Sequence, residues 1–448
     1  MTGVRETTGR AAWAALTFLA AAQFLVVLST SIVNIALPQL REGLNLSASG
    51  LAWVVNAYVL VFGALLLPGG RIADLAGRRR VFLGGLALFT VAVAVAGLAG
   101  SGAVLIIARA VQGIAAALLA PAALGLVLAT FPPGRERGRA LGVWGAVSGA
   151  GGAAGVLLGG VLTQAFGWRG IFLATVPLGI VVLAGAARTV RSDRSEPGRR
   201  LDLPGTVALT AGLLLLTYGV GGVPAAGPTV ALIAGAVLLA GFVAWPARAA
   251  EPLIPLRVVR IRAVAGANLT MLLLGAVWIG LFYVLPLYQQ QVLHYSPLRA
   301  GLTQLPMAIM IMLSSSVTPG LARRFGPRVT LLGGFALLGA GLLWLSRTPA
   351  DAGLFLDLIA PTLLIGLGLG TAFVQLTGLS ASGVEPADSG LAGGLINATR
   401  QVGGAVGLAA LTVLGGYGPP FVVMAALSAA ALLVSVAVIR QHPEDRLR

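Results

Sequence analysis

Three charged residues lie within long apolar stretches of the sequence, where a charge is energetically costly. Arg109 lies near the start of one stretch, and Gln112 follows it by about one helical turn. Arg400 lies within another stretch, shortly after Asn397, and Asp357 is the only one of the 14 acidic residues inside such a stretch. Charges inside a bilayer commonly mark an ion or substrate pathway. We therefore expect Arg109 to contact a carboxylate, an anionic substrate or backbone carbonyls.

Each of these charges also has a purely structural interpretation. Arg109 is close enough to the start of its stretch for its side chain to reach the outer interface. Asp357 lies close enough to the start of its own stretch to cap a helix, and Arg400 is equally consistent with packing in the inner leaflet. The sequence leaves both interpretations open for all three residues.

The residue types that are missing exclude several kinds of chemistry. The chain has no cysteine, and all 30 of its basic residues are arginine. A standard P-loop ATPase and a retinal-type Schiff base both need lysine, so neither is possible. The two histidines, His294 and His442, are far apart in the sequence, which makes a histidine-rich zinc site unexpected. We therefore predict no metal, no cofactor and no enzymatic activity.

The elements that must position these residues are membrane-spanning helices. Of the 448 residues, 57% are hydrophobic and only 10% are charged, well below the charged fraction of a soluble domain. Basic loops explain the net charge of +16, so no nucleic-acid partner is expected. Since a span needs about 20 apolar residues, the sequence predicts an all-α integral membrane protein with 14 transmembrane helices. The predicted spans are 13–38, 51–70, 81–100, 103–128, 140–162, 171–187, 204–222, 229–247, 263–289, 300–320, 329–346, 354–378, 390–414 and 420–438.

Arginine is distributed unequally between the two sides of these spans. Alternate loops and both termini contain most of the 30 arginines, whereas the opposite loops contain only Arg41, Arg169, Arg299 and Arg347. Cytoplasmic loops carry the positive excess in membrane proteins. We therefore predict a multi-pass protein of the cytoplasmic membrane with both termini in the cytoplasm.

A short basic sequence after the second predicted span is similar to one after the tenth. The first runs from Gly70 to Arg80 and the second from Leu321 to Arg328, and each contains a glycine at the turn. Parallel repeats of this kind are typical of transporters, although any cytoplasmic turn tends to be rich in arginine and glycine. The repeat predicts a 6 + 2 + 6 arrangement: a six-helix bundle over residues 1–190, a two-helix insertion with basic loops over 191–262, and a second six-helix bundle over 263–448.

The first of these sequences, Gly70-Arg-Ile-Ala-Asp74-Leu-Ala-Gly77-Arg78-Arg79-Arg80, resembles the signature loop of the major facilitator superfamily. A generic basic loop would explain its arginines but not an aspartate between two glycines. We expect the glycines to allow a tight turn, and Asp74 to pair with Arg78 or with the N-terminus of a neighbouring helix. The resemblance implies the major facilitator fold, with a conformational latch formed by Gly70, Asp74, Gly77, Arg78 and Arg79.

Two further stretches resemble motifs of the fourteen-helix drug:proton antiporter branch of this superfamily. Leu105 to Ala117 is similar to the fourth-helix motif, and Trp144 to Gly160 is similar to the fifth-helix antiporter motif. The resemblance implies that Arg109 and Gln112 take part in proton coupling. The antiporter-motif glycines are Gly151, Gly155, Gly159 and Gly160.

The sequence departs from that branch at two positions. Family members often carry an acidic residue in the first span, where this chain has Leu28-Ser29-Thr30-Ser31, and Gly155 is followed here by Val156 and not by proline. The first departure removes the usual proton site, so our hypothesis is that Asp357 replaces it. The second weakens the expected helix kink, because proline is what interrupts the backbone hydrogen bonds.

By resemblance, a substrate cavity lies near the bilayer midplane between the two six-helix bundles. Because no acid lies at its centre, it favours neutral, anionic or zwitterionic ligands, although ordinary helix packing also explains any single polar residue. The candidate residues are Gln23, Asn34, Asn56, Tyr58, Trp278, Tyr283, Gln304, Gln375, Asn397 and Arg400.

The function that these features predict is export of drug-like or antibiotic small molecules by proton antiport and alternating access. The expected partners are the lipid bilayer, a small-molecule substrate and protons, and a monomer is expected. The alternatives are export of an endogenous metabolite, or uniport without standard proton coupling. A membrane enzyme would need a cluster of His, Cys or acidic residues in the spans, and a receptor would need a soluble sensing domain, and the sequence indicates neither.

Overall fold

The protein, described by a computed structural model, consists of helices joined by short turns. The structure describes residues 2–132, 134–191, 202–221, 226–245, 252–349, 353–385 and 388–438, and the regular secondary structure in these ranges is helical. The helices are α1 (Thr2–Gly43), α2 (Ala48–Ala76), α3 (Arg78–Gly97), α4 (Gly102–Thr130), α5 (Arg135–Leu173), α6 (Thr175–Thr189), α7 (Leu203–Gly221), α8 (Ala226–Ala244), α9 (Leu256–Val259), α10 (Arg262–Gln291), α11 (Pro297–Phe325), α12 (Pro327–Leu345), α13 (Ala360–Ser380), α14 (Ser389–Leu411) and α15 (Gly418–Val438). A π-helical turn, Leu354–Ile359, leads into α13.

Most of these helices are long and apolar enough to cross a membrane. By length and composition, twelve helical segments among the described residues qualify. One of them, Arg135–Thr189, contains both α5 and α6. Helix α14 is not among the twelve, because Asn397, Arg400 and Gln401 lower its apolarity. The chain is therefore an all-helical, multi-pass membrane protein, as the composition predicts.

Serine residues begin several of the helices. The side-chain oxygen of Ser47 accepts a hydrogen bond from the amide of Gly50 at the start of α2. Ser101 does the same at the start of α4, and Ser296 does so at the start of α11, where Pro297 follows it. These contacts satisfy amide groups that have no partner inside the helix, and they place the helix starts close to the predicted spans.

The chain divides into two compact units, Met1–Leu203 and Pro204–Arg448. In the first unit α1 packs against α5, α2 against α4, and α3 against both α4 and α6. In the second unit the six helices from α10 to α15 pair in the same order, with α10 against α14, α11 against α13, and α12 against α13 and α15. This shared order is the arrangement that an internal repeat predicts.

Helices α7 and α8 belong to the second unit and pack closely against each other. A Cβ on Gly235 would lie 2.6 Å from the amide nitrogen of Leu216, and a Cβ on Gly212 would lie 2.9 Å from the side chain of Leu239. Few residues of either helix are buried, so most of their surface is free to face lipid. The division of the chain at residues 190 and 262 stays a prediction.

Candidate functional site

Arg109 is completely buried in the first unit, in a polar cluster formed by α1, α2 and α4. Its Nε donates to the carbonyl oxygen of Val54 at 3.1 Å, and its Nη1 donates to the carbonyl of Ser29 at 3.3 Å. The same Nη1 donates to Oε1 of Gln112 at 2.7 Å, and the guanidinium lies 4.3 Å from the centre of the Tyr58 ring. The side chain is thus enclosed by protein and does not extend to the interface.

The groups that surround Arg109 do not neutralise its charge. Its contacts are neutral oxygens and an aromatic ring, and none of the salt bridges between described residues includes it. Nη2 of Arg109 and Nε2 of Gln112 are both buried without a hydrogen-bond partner. The cluster therefore places free donors beside a positive charge, and such donors bind carboxylate or carbonyl oxygens.

Other cavity candidates in the first unit also have unpaired polar atoms. The hydroxyl of Tyr58 donates to the carbonyl of Val26 at 2.9 Å, which connects α2 to α1. Nδ2 of Asn34 donates within α1, but its Oδ1 is buried without a partner. The side-chain oxygens of Gln23 and Asn56 are likewise buried and unpaired. These acceptors have capacity for a ligand or for water.

The antiporter-motif glycines of α5 allow α1 to approach closely. A Cβ on Gly151 or on Gly159 would lie 3.1 Å and 2.9 Å, respectively, from a backbone oxygen of α1. A Cβ on Gly155 would overlap the side chain of Ser31, and Gly160 is buried in the same helix. Gly151, Gly155 and Gly159 therefore serve helix packing, because a larger residue at these positions would separate α1 from α5.

The break in α5 lies later than the motif indicates. The helix continues through Val156 and is interrupted at Gly167, where φ is 67° and ψ is −177°. This positive φ suits glycine, which has no Cβ to clash. The predicted boundary between the fifth and sixth spans, at residues 162–171, includes this break.

The signature loop contains the expected ion pair. Oδ1 of Asp74 lies 3.0 Å from Nε and 2.8 Å from Nη2 of Arg78. Gly77 separates α2 from α3 with a φ of 92°. Gly70 instead lies inside α2, where it packs against Pro121 of α4. The expectation that Gly70 forms part of the turn was therefore wrong, since Gly77 makes the turn and Gly70 is a residue of α2, where a Cβ would make an ordinary 3.5 Å contact with Pro121.

Arg79 has a structural role that the sequence did not indicate. Its Nε donates to the carbonyl of Val190 at 2.8 Å, and its Nη2 donates to that of Ala187 at 2.8 Å. Both carbonyls lie at the end of α6, where oxygens lack partners inside the helix. The guanidinium thus caps α6 and favourably meets the negative end of its dipole.

Arg400 lies halfway along α14 in the second unit, beside two aromatic rings. Its guanidinium carbon is 5.7 Å from the ring centres of both Trp278 on α10 and Phe373 on α13. Trp278 also stacks on Phe282, with the ring centres 6.2 Å apart. Nε of Arg400 is buried without a hydrogen-bond partner, and Asn397 donates within α14. We call Arg400, Trp278 and Phe373 the Arg400 cluster.

A buried amide network connects α10 and α11. Nε2 of Gln304 donates to Oε1 of Gln289 at 2.8 Å, and Nε2 of Gln289 donates to Oγ1 of Thr303 at 3.0 Å. Oε1 of Gln304 is buried and unpaired. Gln289 was not among the predicted residues, because a run of three glutamines reads as the end of a span. The candidates Tyr283 and Gln375 are buried in α10 and α13.

Asp357 lies in the π-helical turn that leads into α13. Its Oδ2 accepts a hydrogen bond from the amide of Gly353 at 2.7 Å, which is the contact expected of a residue that caps a helix start. It lines a pocket of about 590 Å³ together with Trp344, Arg347 and Thr348. Its role in proton coupling stays a prediction.

Comparison with known sequences identifies related proteins over most of the chain. A sequence model of the Major Facilitator Superfamily matches residues 19–408. A cephamycin export protein from Amycolatopsis lactamdurans is 45% identical over 434 residues, which are 93% of this chain and 89% of that protein. A puromycin resistance protein from Streptomyces alboniger is 38% identical over 90% of this chain and 81% of its own length. A tetracenomycin C resistance and export protein from Streptomyces glaucescens is 35% identical, and the match covers 76% of that protein.

Solved structures show the same fold at low sequence identity. A POT-family transporter, PepTSo, has a TM-score of 0.72 and 16% identity, and the match covers 95% of this chain and 97% of that one. A bacterial homologue of the human lysosomal transporter Spinster has a TM-score of 0.70 and 15% identity, with 97% and 99% covered. These likenesses concern the fold alone.

Proposed function

The chain belongs to the major facilitator superfamily, and we propose that it exports antibiotic-like small molecules across the cytoplasmic membrane by alternating access. Its transporter family and its relatives make it a transporter and not an enzyme. The observation that carries the proposal is the 45% identity to a cephamycin export protein over 93% of the chain. The buried polar groups without partners, around Arg109 and Arg400, support a ligand pathway through the helices.

A drug-susceptibility panel tests the export proposal. The chain is expressed in an efflux-deficient bacterial host and challenged with cephamycin, puromycin and tetracenomycin C. We expect a higher inhibitory concentration for at least one of them than in the host that carries the empty vector. Unchanged susceptibility to all three, with the protein detected in the membrane, would contradict export of these compounds.

We also propose fourteen membrane spans, with a two-helix insertion between two six-helix bundles. Division of Arg135–Thr189 at its break adds one span to the twelve apolar segments, and inclusion of α14 adds another. An even number of spans and the arginine distribution support two cytoplasmic termini. A reporter fused after Arg448 is expected to read as cytoplasmic, and a periplasmic signal would mean an odd number of spans. The working unit that we propose is a monomer.

Proton antiport is the coupling that we propose, with Arg109 and Gln112 on α4 and with Asp357 as the acid. In proteoliposomes, Asp357→Asn is expected to abolish proton-driven accumulation but to retain exchange of substrate down its gradient, whereas Arg109→Ala impairs both. Glu385→Gln is the matched control, because that carboxylate is exposed near Arg257. Concentration of substrate against its gradient by Asp357→Asn, under an imposed pH difference, would show that Asp357 does not carry the proton.

One observation favours a uniporter without standard proton coupling as a second candidate. Arg109 contacts neutral groups at Ser29, Val54 and Gln112, and Asp357 already accepts a hydrogen bond from Gly353. A transport rate in wild-type proteoliposomes that does not respond to an imposed pH gradient would favour this candidate. A rate that rises with the gradient would favour antiport.

A further inference from the structure

We propose that the Arg400 cluster recognises a substrate group that combines an anion with a flat unsaturated ring. This inference rests on the proposed export function and names the class of compound that the protein handles. All of the residues involved lie in the second unit, on α10, α13 and α14. The proposal follows from the charge, the surroundings and the depth of Arg400.

The positive charge of Arg400 has no anionic partner among the residues that the structure describes. The salt bridges between described residues join Asp74 to Arg78, and both Glu385 and Asp388 to Arg257. The side chain of Arg400 has a buried Nε without any hydrogen bond. An uncompensated cation of this kind is stabilised when an anion binds beside it, and a guanidinium favours the flat, two-oxygen geometry of a carboxylate.

The aromatic rings of the cluster add a preference for a flat group. Trp278 and Phe373 lie on two different helices at 5.7 Å from the guanidinium carbon. Rings at this distance attract the cation through their π faces but do not cancel its charge. The ring of Trp278 also stacks on the ring of Phe282, which extends the aromatic surface. A ligand ring that joins this surface gains contact area without displacing a polar contact.

The depth of the cluster favours a substrate over a lipid headgroup. Arg400 is near the middle of α14, which begins at Ser389, so it lies about 16 Å along the helix at 1.5 Å per residue. Trp278 is likewise near the middle of α10. The hydrocarbon core is about 30 Å thick, which places lipid phosphates at its edges. A carboxylate on a transported compound reaches the midplane, whereas a lipid phosphate has to leave its leaflet surface.

A second unpaired side chain lies at the same level of α14. Gln401 is only 1% exposed, and neither its Oε1 nor its Nε2 has a hydrogen-bond partner. Buried amides without partners are rare in folded proteins. Gln401 projects from a different face of α14 than Arg400, so it adds a second buried polar side chain at the same depth and is not part of the Arg400 cluster.

Arg400 also differs from Arg109 in its accessibility. Arg109 has no exposed surface and is held by two backbone carbonyls and Gln112. Arg400 is only partly buried, and it has aromatic neighbours in place of hydrogen-bond acceptors. Of the two arginines, Arg400 is the one that a ligand can reach without rearrangement of the surrounding helices.

Binding of two matched probes tests this proposal. The purified full-length protein is placed in phosphatidylcholine nanodiscs and titrated with 2-naphthoate and with its neutral counterpart, 2-naphthamide. Wild-type protein is expected to bind 2-naphthoate about tenfold more tightly or better, because its carboxylate pairs with a guanidinium that has no other anionic partner among the described residues. Equal affinity for the two probes in wild-type protein would overturn the proposal.

Variants of the protein show which residues cause the preference for 2-naphthoate over 2-naphthamide. Arg400→Gln is expected to remove it, and Arg400→Lys is expected to retain part of it. Trp278→Leu is expected to weaken both probes alike. Arg299→Gln is the matched control, because its guanidinium lies 3.9 Å from the Tyr295 ring in the same unit but is exposed at a helix start. A preference that survives in Arg400→Gln, or that Arg299→Gln removes, would overturn the proposal. Should Arg400→Gln fail to fold, Arg400→Lys decides the question, because a preference for 2-naphthoate that this variant leaves at the wild-type level would overturn the proposal.

Two further measurements are needed. The first distinguishes a lipid anion from a substrate anion, and the second distinguishes failure of the proposed export from failure of the proposed anion site. Phosphatidylglycerol that competes with 2-naphthoate on wild-type protein would assign the site to a lipid and overturn its assignment to substrate. Absence of competition supports a substrate site. In the susceptibility panel, a wild-type chain that exports nothing contradicts the proposed function, whereas the probe titration still decides whether the Arg400 cluster selects anions.

Discussion

The loop between α2 and α3 and the loop between α11 and α12 have similar backbones but different charges. Gly77 and Gly326 separate the helices with φ values of 92° and 82°. Two residues after its glycine, Arg79 donates to carbonyls at the end of α6. At the same distance from Gly326, Arg328 donates to the carbonyl of Val436 near the end of α15. In both units, the loop is thus attached to the end of the last helix.

The difference lies on either side of the glycine. Three residues before it, the first loop has Asp74 and the second has Arg323, and directly after it the first has Arg78 and the second has Pro327. The 2.8 Å ion pair therefore has no counterpart in the second loop. An arginine that caps the last helix and a glycine with positive φ are present in both loops, and we assign them to the fold. The ion pair is present in one loop and is the feature that we assign to function.

The largest effect is expected from Asp74→Asn. We predict that it slows transport by up to about fivefold, because a latch that loses about 1 kcal/mol changes the population of its state by that factor. The free energy of unfolding should change by less than about 1 kcal/mol, because the pair is partly exposed. Efflux assays at equal expression measure the rate, with Arg323→Gln as the control in the second loop. A wild-type transport rate in Asp74→Asn would contradict the hypothesis that the Asp74–Arg78 ion pair acts as a conformational latch.

Gly77→Ala and Gly326→Ala should destabilise the protein by similar amounts, about 1–2 kcal/mol each. A Cβ at either position meets no atom within 4 Å, so the cost comes from the left-handed backbone alone. Thermal unfolding of the purified protein measures it, and Gly84→Ala is a control inside a helix with the same open surroundings. A large cost at one glycine and none at the other would contradict the equivalence of the two loops.

Arg79→Gln should lower the free energy of unfolding by about 1 kcal/mol, since two carbonyls at the end of α6 lose a charged donor. Arg328→Gln should have a smaller effect, because its side chain makes one such bond, to Val436. Chemical or thermal melts of the two variants give the comparison. A greater loss of unfolding free energy in Arg328→Gln than in Arg79→Gln would contradict the expectation that the Arg79 cap contributes more to stability.

The smallest effect is expected from Arg323→Asp, which introduces an acid in the second loop at the position equivalent to Asp74. Residue 327 is Pro, so no arginine occupies the position that pairs with Asp74 in the first loop. Transport and stability should both stay within experimental error of wild type. A clear change in the rate would mean that a carboxylate at this position acts without an arginine partner.

Much of the fold was predictable because membrane helices are read from apolar length. The predicted spans follow the long helices in order and approximately in position, and the break at Gly167 falls between two of them. Twelve apolar segments qualify as spans among the described residues, so the count of fourteen stays a prediction. The resemblance to the major facilitator superfamily and to its drug-efflux branch is confirmed by the comparisons. Gly70 was misjudged, because a glycine inside a helix and a glycine that makes a turn look alike in sequence.

The sequence by itself determined the class of the protein, its helices and the charges that stand out. In a bilayer each backbone polar group must be satisfied within a helix, so the apolar stretches specify the elements, and an arginine inside one is visible at once. Only the tertiary structure decided the partners of those charges. Val54, which accepts from Arg109, is 55 residues away, and Val190, which accepts from Arg79, is 111 residues away. The physical reason is that such contacts depend on which faces of distant helices meet. A helix that is apolar on nearly every side has no apolar stripe from which its buried face could be predicted.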